Sequence, residues 1–178
     1  IKFFNQLSYK KNFSILSFLS IFQLSIKIFI NMLKQEKPDL ILASYPFSEL
    51  TLVSLISSKI KGCKFIIDIR DLWPDATLTS LSKANKFLFY PFYYYYRILL
   101  SLILNNTQYV VSISDGFSKW AQNIKVKKFI GNKVIPIGYK SDINLDRLSK
   151  NKNFYLQRFP KLKKKIVISF IGVINRHY

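Results

Sequence analysis

A single cysteine, Cys63, and a single histidine, His177, limit the chemistry open to this chain of 178 residues. One thiol cannot build a disulfide framework or a cysteine zinc cage, and it suits a reducing compartment. One imidazole excludes a histidine-rich metal site. Acidic side chains are also scarce: nine Asp and Glu stand against 28 Lys and Arg, a formal net charge of +19. That balance points to an anionic partner, whether nucleic acid, an acidic membrane surface or a phosphorylated substrate. Part of it follows composition, because Lys, Ile, Asn, Phe and Tyr are all abundant, as an AT-rich gene would make them. No unbroken run of about 18 apolar residues occurs, so a transmembrane span is not expected. No small-residue cleavage site follows the apolar N-terminal part, which argues against a cleaved signal peptide.

What is present is a core-forming chain, 49% hydrophobic and 21% charged, too apolar for disorder. It starts at Ile1 rather than Met and stops just after a strand-like run, so both ends are expected to be cut. From Asn12 to Lys34, Ile15, Phe18, Leu19, Phe22, Ile26, Phe29, Ile30 and Leu33 recur at helical spacing. This predicts a broad-faced amphipathic helix, buried against a sheet or lying on a bilayer, with core packing preferred. Leu40 to Ala43 reads as a short buried strand ending in Ser44-Tyr45-Pro46-Phe47-Ser48, a turn. A helix over Glu49 to Lys61 follows, with Gly62 placed to cap it.

Next comes the stretch that organises the rest, Lys64-Phe65-Ile66-Ile67-Asp68-Ile69-Arg70-Asp71-Leu72-Trp73-Pro74-Asp75. It begins as a strand buried on both faces and breaks at Pro74, which biases Trp73 away from the helical region. Strand, helix and strand in this order imply a parallel pair with a right-handed crossover. The loop then falls at the carboxyl edge, where open α/β sheets bind ligands. The clustered ionisable groups there are either a site or an Arg–Asp pair that satisfies itself at a strand end.

A helix over Lys86 to Leu104 carries the run Phe87 to Tyr96, with Pro91 expected in a first turn rather than an interior. Its consecutive rings point all around the helix, which favours core packing with an exposed rim over a base-stacking platform. Tyr109 to Ile113 is a third strand, and Ser114 is placed to N-cap a helix over Phe117 to Ile124. Lys133 to Pro136 is a fourth short strand. Asn144 to Lys165 is a polar, lysine-rich linker with a helix near Phe154 to Phe159. Ile166 to Gly172 opens a new domain.

Taken in order, these motifs resemble the GT-B glycosyltransferases of family 4, most closely the bacterial branch that builds capsule, O-antigen and exopolysaccharide. The similarity covers roughly residues 36 to 176. It is carried by Pro38-Asp39-Leu40-Ile41 with Ser44 and Pro46, by Arg70-Asp71-Leu72-Trp73-Pro74-Asp75, and by Ser112-Ile113-Ser114 with Gly116. Ile135-Pro136 with Gly138 and Asp142, and Phe170-Ile171-Gly172, complete it.

The resemblance implies an α/β, Rossmann-like parallel sheet with flanking helices, the N-terminal half of a GT-B fold. Residues 1–143 would be the acceptor-side domain, 144–165 a linker and 166–178 the first strand of the donor-binding domain. It implies transfer of a sugar from a nucleotide-sugar donor to a lipid-linked or growing glycan, at the cytoplasmic face of the membrane, without metal or other cofactor. No Asp-x-Asp motif is present. On this reading Asp71 is the catalytic base, with Asp68 second. Ser44, Arg70 and Trp73 hold the acceptor, Trp73 offering a flat face for sugar or lipid unless it is a core plug. Gly138, Gly172 and Arg176 approach the donor. Ile137 replaces the asparagine usual before Gly138, and Ile174-Asn175 stands where members often carry another glycine. The basic, aromatic segments Asn12 to Lys34 and Lys86 to Arg97 would dock on anionic lipid. Two other readings remain: an inactive acceptor- and membrane-binding domain, and a nucleic-acid binder, for which no reading module is recognisable.

Overall fold

A computed structural model describes residues 15–138, 145–163 and 165. The expected strand Ile166 to Gly172, together with Arg176, lies outside these residues. The chain divides into two compact units, Ile1–Ile137 and Gly138–Tyr178.

The first unit holds a four-stranded sheet in the order β1-β2-β3-β4, built from Leu40–Tyr45, Lys64–Ile69, Tyr109–Ser112 and Gly131–Val134. Every neighbouring pair is parallel. The helices are α1 (Ile15–Lys34), α2 (Ser48–Lys61), α3 (Asp75–Ser80), α4 (Lys83–Asn105) and α5 (Asp115–Ile124). Strands added one after another in a single direction, each by a right-handed crossover, put their connecting helices on the same side. Accordingly Ile41, Ala43 and Tyr45 of β1, Phe65, Ile67 and Ile69 of β2 and Val110 of β3 form one core with Leu55 of α2, Leu100, Ile103 and Leu104 of α4 and Ala121 of α5. Each such aliphatic side chain, fully buried, stabilises the fold by about 1.5–3 kcal/mol. The opposite face is open: Leu40 and Leu42 are exposed, Leu42 by 60%, and a shallow groove there is lined by Asp39, Leu40, Lys64, Ile66 and Tyr109.

Local chemistry explains most boundaries. Gly62 adopts φ +61° and its N–H closes α2 on Lys59 and Ser58 carbonyls, the left-handed cap its position predicts. Ser114 caps α5 by accepting from the Phe117 N–H. Lys125 has its ammonium buried beneath the end of α4, donating to the Leu104 and Thr107 carbonyls at 2.7 Å each. It therefore supplies both hydrogen bonds and positive charge where a helix terminus needs them.

Three expectations are corrected. Pro91 lies inside α4, not in its first turn, because Ser82 starts the helix eight residues earlier by accepting from the Asn85 N–H. The interior proline is tolerated because Phe89, Tyr96 and Leu100 anchor the helix on both sides of it. The fourth strand begins at Gly131 and ends at Val134. Glycine is needed at its start, since a Cβ there would stand 2.8 Å from the Tyr109 ring.

The third correction concerns α1, which is helical as expected but does not bury its large apolar face. Ser17, Ser20 and Ser25 are the buried positions, whereas Leu16, Leu19, Phe22, Ile26, Ile30 and Leu33 form an exposed stripe. Serine allows close approach to α2, and the Ser25 hydroxyl is satisfied by donating to the Ile21 carbonyl within its own turn. A helix apolar all round is suited to burial on more than one side. By length and composition both α1 and α4 are sufficient to cross a membrane. Here α4 is tied to the sheet through fully buried Leu100, Ile103 and Leu104, and α1 packs on α2 with Ser17, Ser20 and Ser25 buried.

The second unit contains α6 (Leu145–Arg158), longer than the helix expected near Phe154 to Phe159, and a 3-10 turn, Pro160–Leu162. Phe154 and Tyr155 meet edge to face in it.

Candidate active site at the carboxyl edge of the sheet

The ends of β1 and β2 bring the predicted site residues to one edge but divide them between two faces. Ser44 and Asp68 are paired in register, and both belong to the open face by strand alternation. Asp68 is only 4% exposed. Its Oδ2 accepts from Arg70 Nε at 2.6 Å and from Ser44 Oγ at 3.3 Å. The Arg70 side chain is otherwise largely in solvent. The contact is made through Nε and not through the two terminal nitrogens, which are the donors an arginine offers in pairs to an anion.

Asp71 is exposed on the loop just past β2. The Arg–Asp pair at the strand end joins Arg70 to Asp68, and Asp71 has no ion pair among the described residues. Two carboxylates three residues apart thus have different surroundings. Asp68 orients a guanidinium, and Asp71 carries an exposed carboxylate.

Trp73 turns to the helix-covered side. Its ring packs against the core, edge-on to Phe89 and Tyr96 with centroids 5.8 and 5.1 Å away. The Trp73–Pro74 peptide is cis, and the Trp73 carbonyl accepts the Tyr45 hydroxyl at 2.7 Å. Trp73 therefore presents no free flat face to the open side. What it lines instead is a half-open cavity of about 150 Å³ shared with Ser17, Phe18, Ile21, Pro46, Phe47, Glu49 and Tyr96.

Sequence reasoning missed two contributors. Asp75 closes the Arg-Asp-Leu-Trp-Pro-Asp stretch without an assigned role, yet its Oδ2 accepts from Arg97 at 2.8 Å and from Trp120 Nε1 at 2.7 Å. It ties α3 to α4 and α5, and its Oδ1 is buried without a hydrogen-bond partner among the described residues. Tyr45 is the other. The sequence reading placed it in the turn after β1, whereas it is the buried last residue of that strand, and its hydroxyl holds the Trp73 loop.

Burial pushes the Tyr45 phenol well above its ordinary pKa, with Asp71, Asp75 and Glu49 adding to the rise and the Ser48 hydrogen bond opposing it. The folded chain holds that proton more tightly than the unfolded one. The resulting stabilisation is fully present below pH about 10 and is lost as pH rises beyond it. Urea midpoints measured from pH 8 to 11 should fall on the alkaline side, and Tyr45→Phe should flatten that fall. At neutral pH the same variant should cost about 1–2 kcal/mol for the lost hydrogen bond.

Gly138 is exposed, with nothing within 4 Å of where a Cβ would stand, so its position makes no steric demand for glycine. Gly172 and Arg176 lie outside the described residues. Among the described residues no three carboxylate, thiol or imidazole side chains gather as a metal site. Comparisons with protein-family models, with curated proteins and with solved structures find no match for this chain.

Proposed function

We propose that this chain is the acceptor-side part of a glycosyltransferase, moving a sugar from a nucleotide-sugar to a hydroxyl of a lipid-linked or growing glycan in cell-surface polysaccharide synthesis. The observation that carries the reading is the placement of Asp71, an exposed carboxylate just beyond a parallel strand, beside an Arg70 oriented by buried Asp68. Transfer to a hydroxyl needs a base at the acceptor, cationic groups for anionic partners, and partial exclusion of water. Asp71 fits the first role and Arg70 the second. Gly138, Gly172 and Arg176 are assigned to the donor by resemblance alone, and the reaction needs no metal on this reading.

The test is sugar transfer from a panel of nucleotide-sugars to lipid extracts, by a polypeptide that carries both lobes. Transfer in no combination would sink the reading. Retained lipid binding with silent donor hydrolysis would instead assign the chain to binding alone.

We place the protein at the inner face of the membrane. Support comes from α4, where Phe87 and Leu88 are 79% and 72% exposed beside Lys83 and Lys86, and from the apolar stripe of α1. Apolar side chains flanked by lysine match an anionic lipid surface. Vesicles with acidic lipid should bind the chain at low salt and release it as salt rises; equal binding to neutral vesicles would remove this placement.

A further inference from the structure

The cavity behind Trp73 is not used by the chemistry assigned to Asp71 and Arg70. Its walls come from three elements and two loops: Ser17, Phe18 and Ile21 of α1, Pro46 and Phe47 after β1, Glu49 of α2, Trp73 after β2 and Tyr96 of α4. Phe18 stacks on Tyr96 with centroids 6.1 Å apart, and Trp73 stands at 74° to the same ring. Aromatic rings therefore close it on two sides.

We propose that this cavity receives the hydrocarbon of a lipid-linked acceptor, leaving the phosphate and sugar outside toward the carboxyl edge. The proposal rests on the sugar-transfer reading for its substrate, though not for its chemistry of binding. Size is the first argument. A volume of about 150 Å³ lined by apolar side chains takes a benzene-sized group, hence a branched five-carbon unit of a prenyl chain.

Polarity is the second argument. A pyranose would bring several hydroxyls, and each one buried without a partner opposes binding. The lining offers few partners: the Ser17 hydroxyl already has an interaction of its own, and the Tyr96 hydroxyl lies beside the Glu49 carboxylate.

Charge is the third argument and decides which end of an amphiphile enters. Glu49 is the only charged side chain among the described residues of the lining, so a phosphate is repelled from the cavity. The chain as a whole carries +19, so the same phosphate is attracted to its surface. An anionic lipid is thus oriented tail inward and head outward.

Calorimetric titration of the chain with farnesyl monophosphate, with inorganic phosphate as the comparison, tests the proposal. Farnesyl monophosphate should bind at least about ten-fold more tightly than inorganic phosphate. Phe47→Ala should weaken the lipid about ten-fold and leave phosphate unchanged. Phe47 is half exposed and makes no side-chain cap, so the variant should fold.

A second measurement needs no change in the cavity. A bromoalkyl phosphate should quench tryptophan fluorescence, and Trp73→Phe should abolish the quenching while Trp120 still emits. Equal affinity for phosphate and farnesyl monophosphate, or quenching that survives Trp73→Phe, would overturn the proposal. Neither measurement uses a sugar donor. Binding without transfer would therefore sink the function and spare the cavity, and transfer to a tail-less acceptor as fast as to a lipid-linked one would do the reverse.

Discussion

Asp71→Asn should reduce sugar transfer by about 10²–10⁴-fold, the range a positioned general base contributes, in a polypeptide carrying both lobes. The substitution keeps the side chain's shape and removes its proton affinity. Since Asp71 is exposed and takes part in no ion pair among the described residues, folding should be unaffected, and a urea midpoint within error of the parent would show it. Asp68→Asn supplies the contrast. Asp68 is buried against Arg70 and Ser44, so its loss should disorder the guanidinium and lower stability as well as transfer. If Asp71→Asn turns over at near-parental rate and Asp68→Asn alone fails, the base is wrongly assigned between the two.

Lys125→Met should be the most destabilising change of a lysine in the first unit. It deletes two charge-assisted hydrogen bonds to the carbonyls of Leu104 and Thr107 and strands both acceptors at the end of α4. A cost of about 2–4 kcal/mol is expected, below the sum of two charged hydrogen bonds at about 1.5–3 kcal/mol each because burial already disfavours the ammonium. Lys119→Met and Lys128→Met, both at exposed positions, should stay within about 0.5 kcal/mol. Denaturation followed by circular dichroism distinguishes these outcomes. If all three variants unfold together, the buried ammonium is not what closes α4. The comparison also separates lysines that hold the fold from those that merely contribute to the net charge.

The order of strands and helices was legible because each signal is local. Short apolar runs marked β1 and β2, a glycine followed α2, and a serine preceded α5; the same runs could not show that one face of the sheet stays open, with Leu40 and Leu42 exposed. The parallel sheet and the carboxyl-edge position of Asp71 followed from the strand–helix–strand rhythm alone. What escaped depended on which partner a side chain meets. Helical spacing in α1 showed a wide apolar face, but it could not show that small serines let α2 approach more closely than leucines would. An Arg–Asp pair at the strand end was one reading of the sequence, which did not say which aspartate it uses; alternation past the strand end puts Arg70 on the side of Asp68, two residues back. The proline rule assumed that α4 must start near Pro91, and distant packing by Phe89 and Tyr96 overrode it. The link from Asp75 to Trp120 spans 45 residues, and nothing in either neighbourhood announces it.

All crossovers in the first unit clothe one side of the sheet, and all-parallel sheets are ordinarily clothed on both. Among the described residues, β1 is joined only to β2, so its outer rim offers a row of amides and carbonyls in register with nothing. An extended polypeptide paired along that rim would lengthen the sheet, and exposed Leu42 would reward whatever then folded across it. The face that carries Ser44 and Asp68 and the rim that invites company therefore adjoin, and how this chain is kept from its own copies will govern how it can be handled.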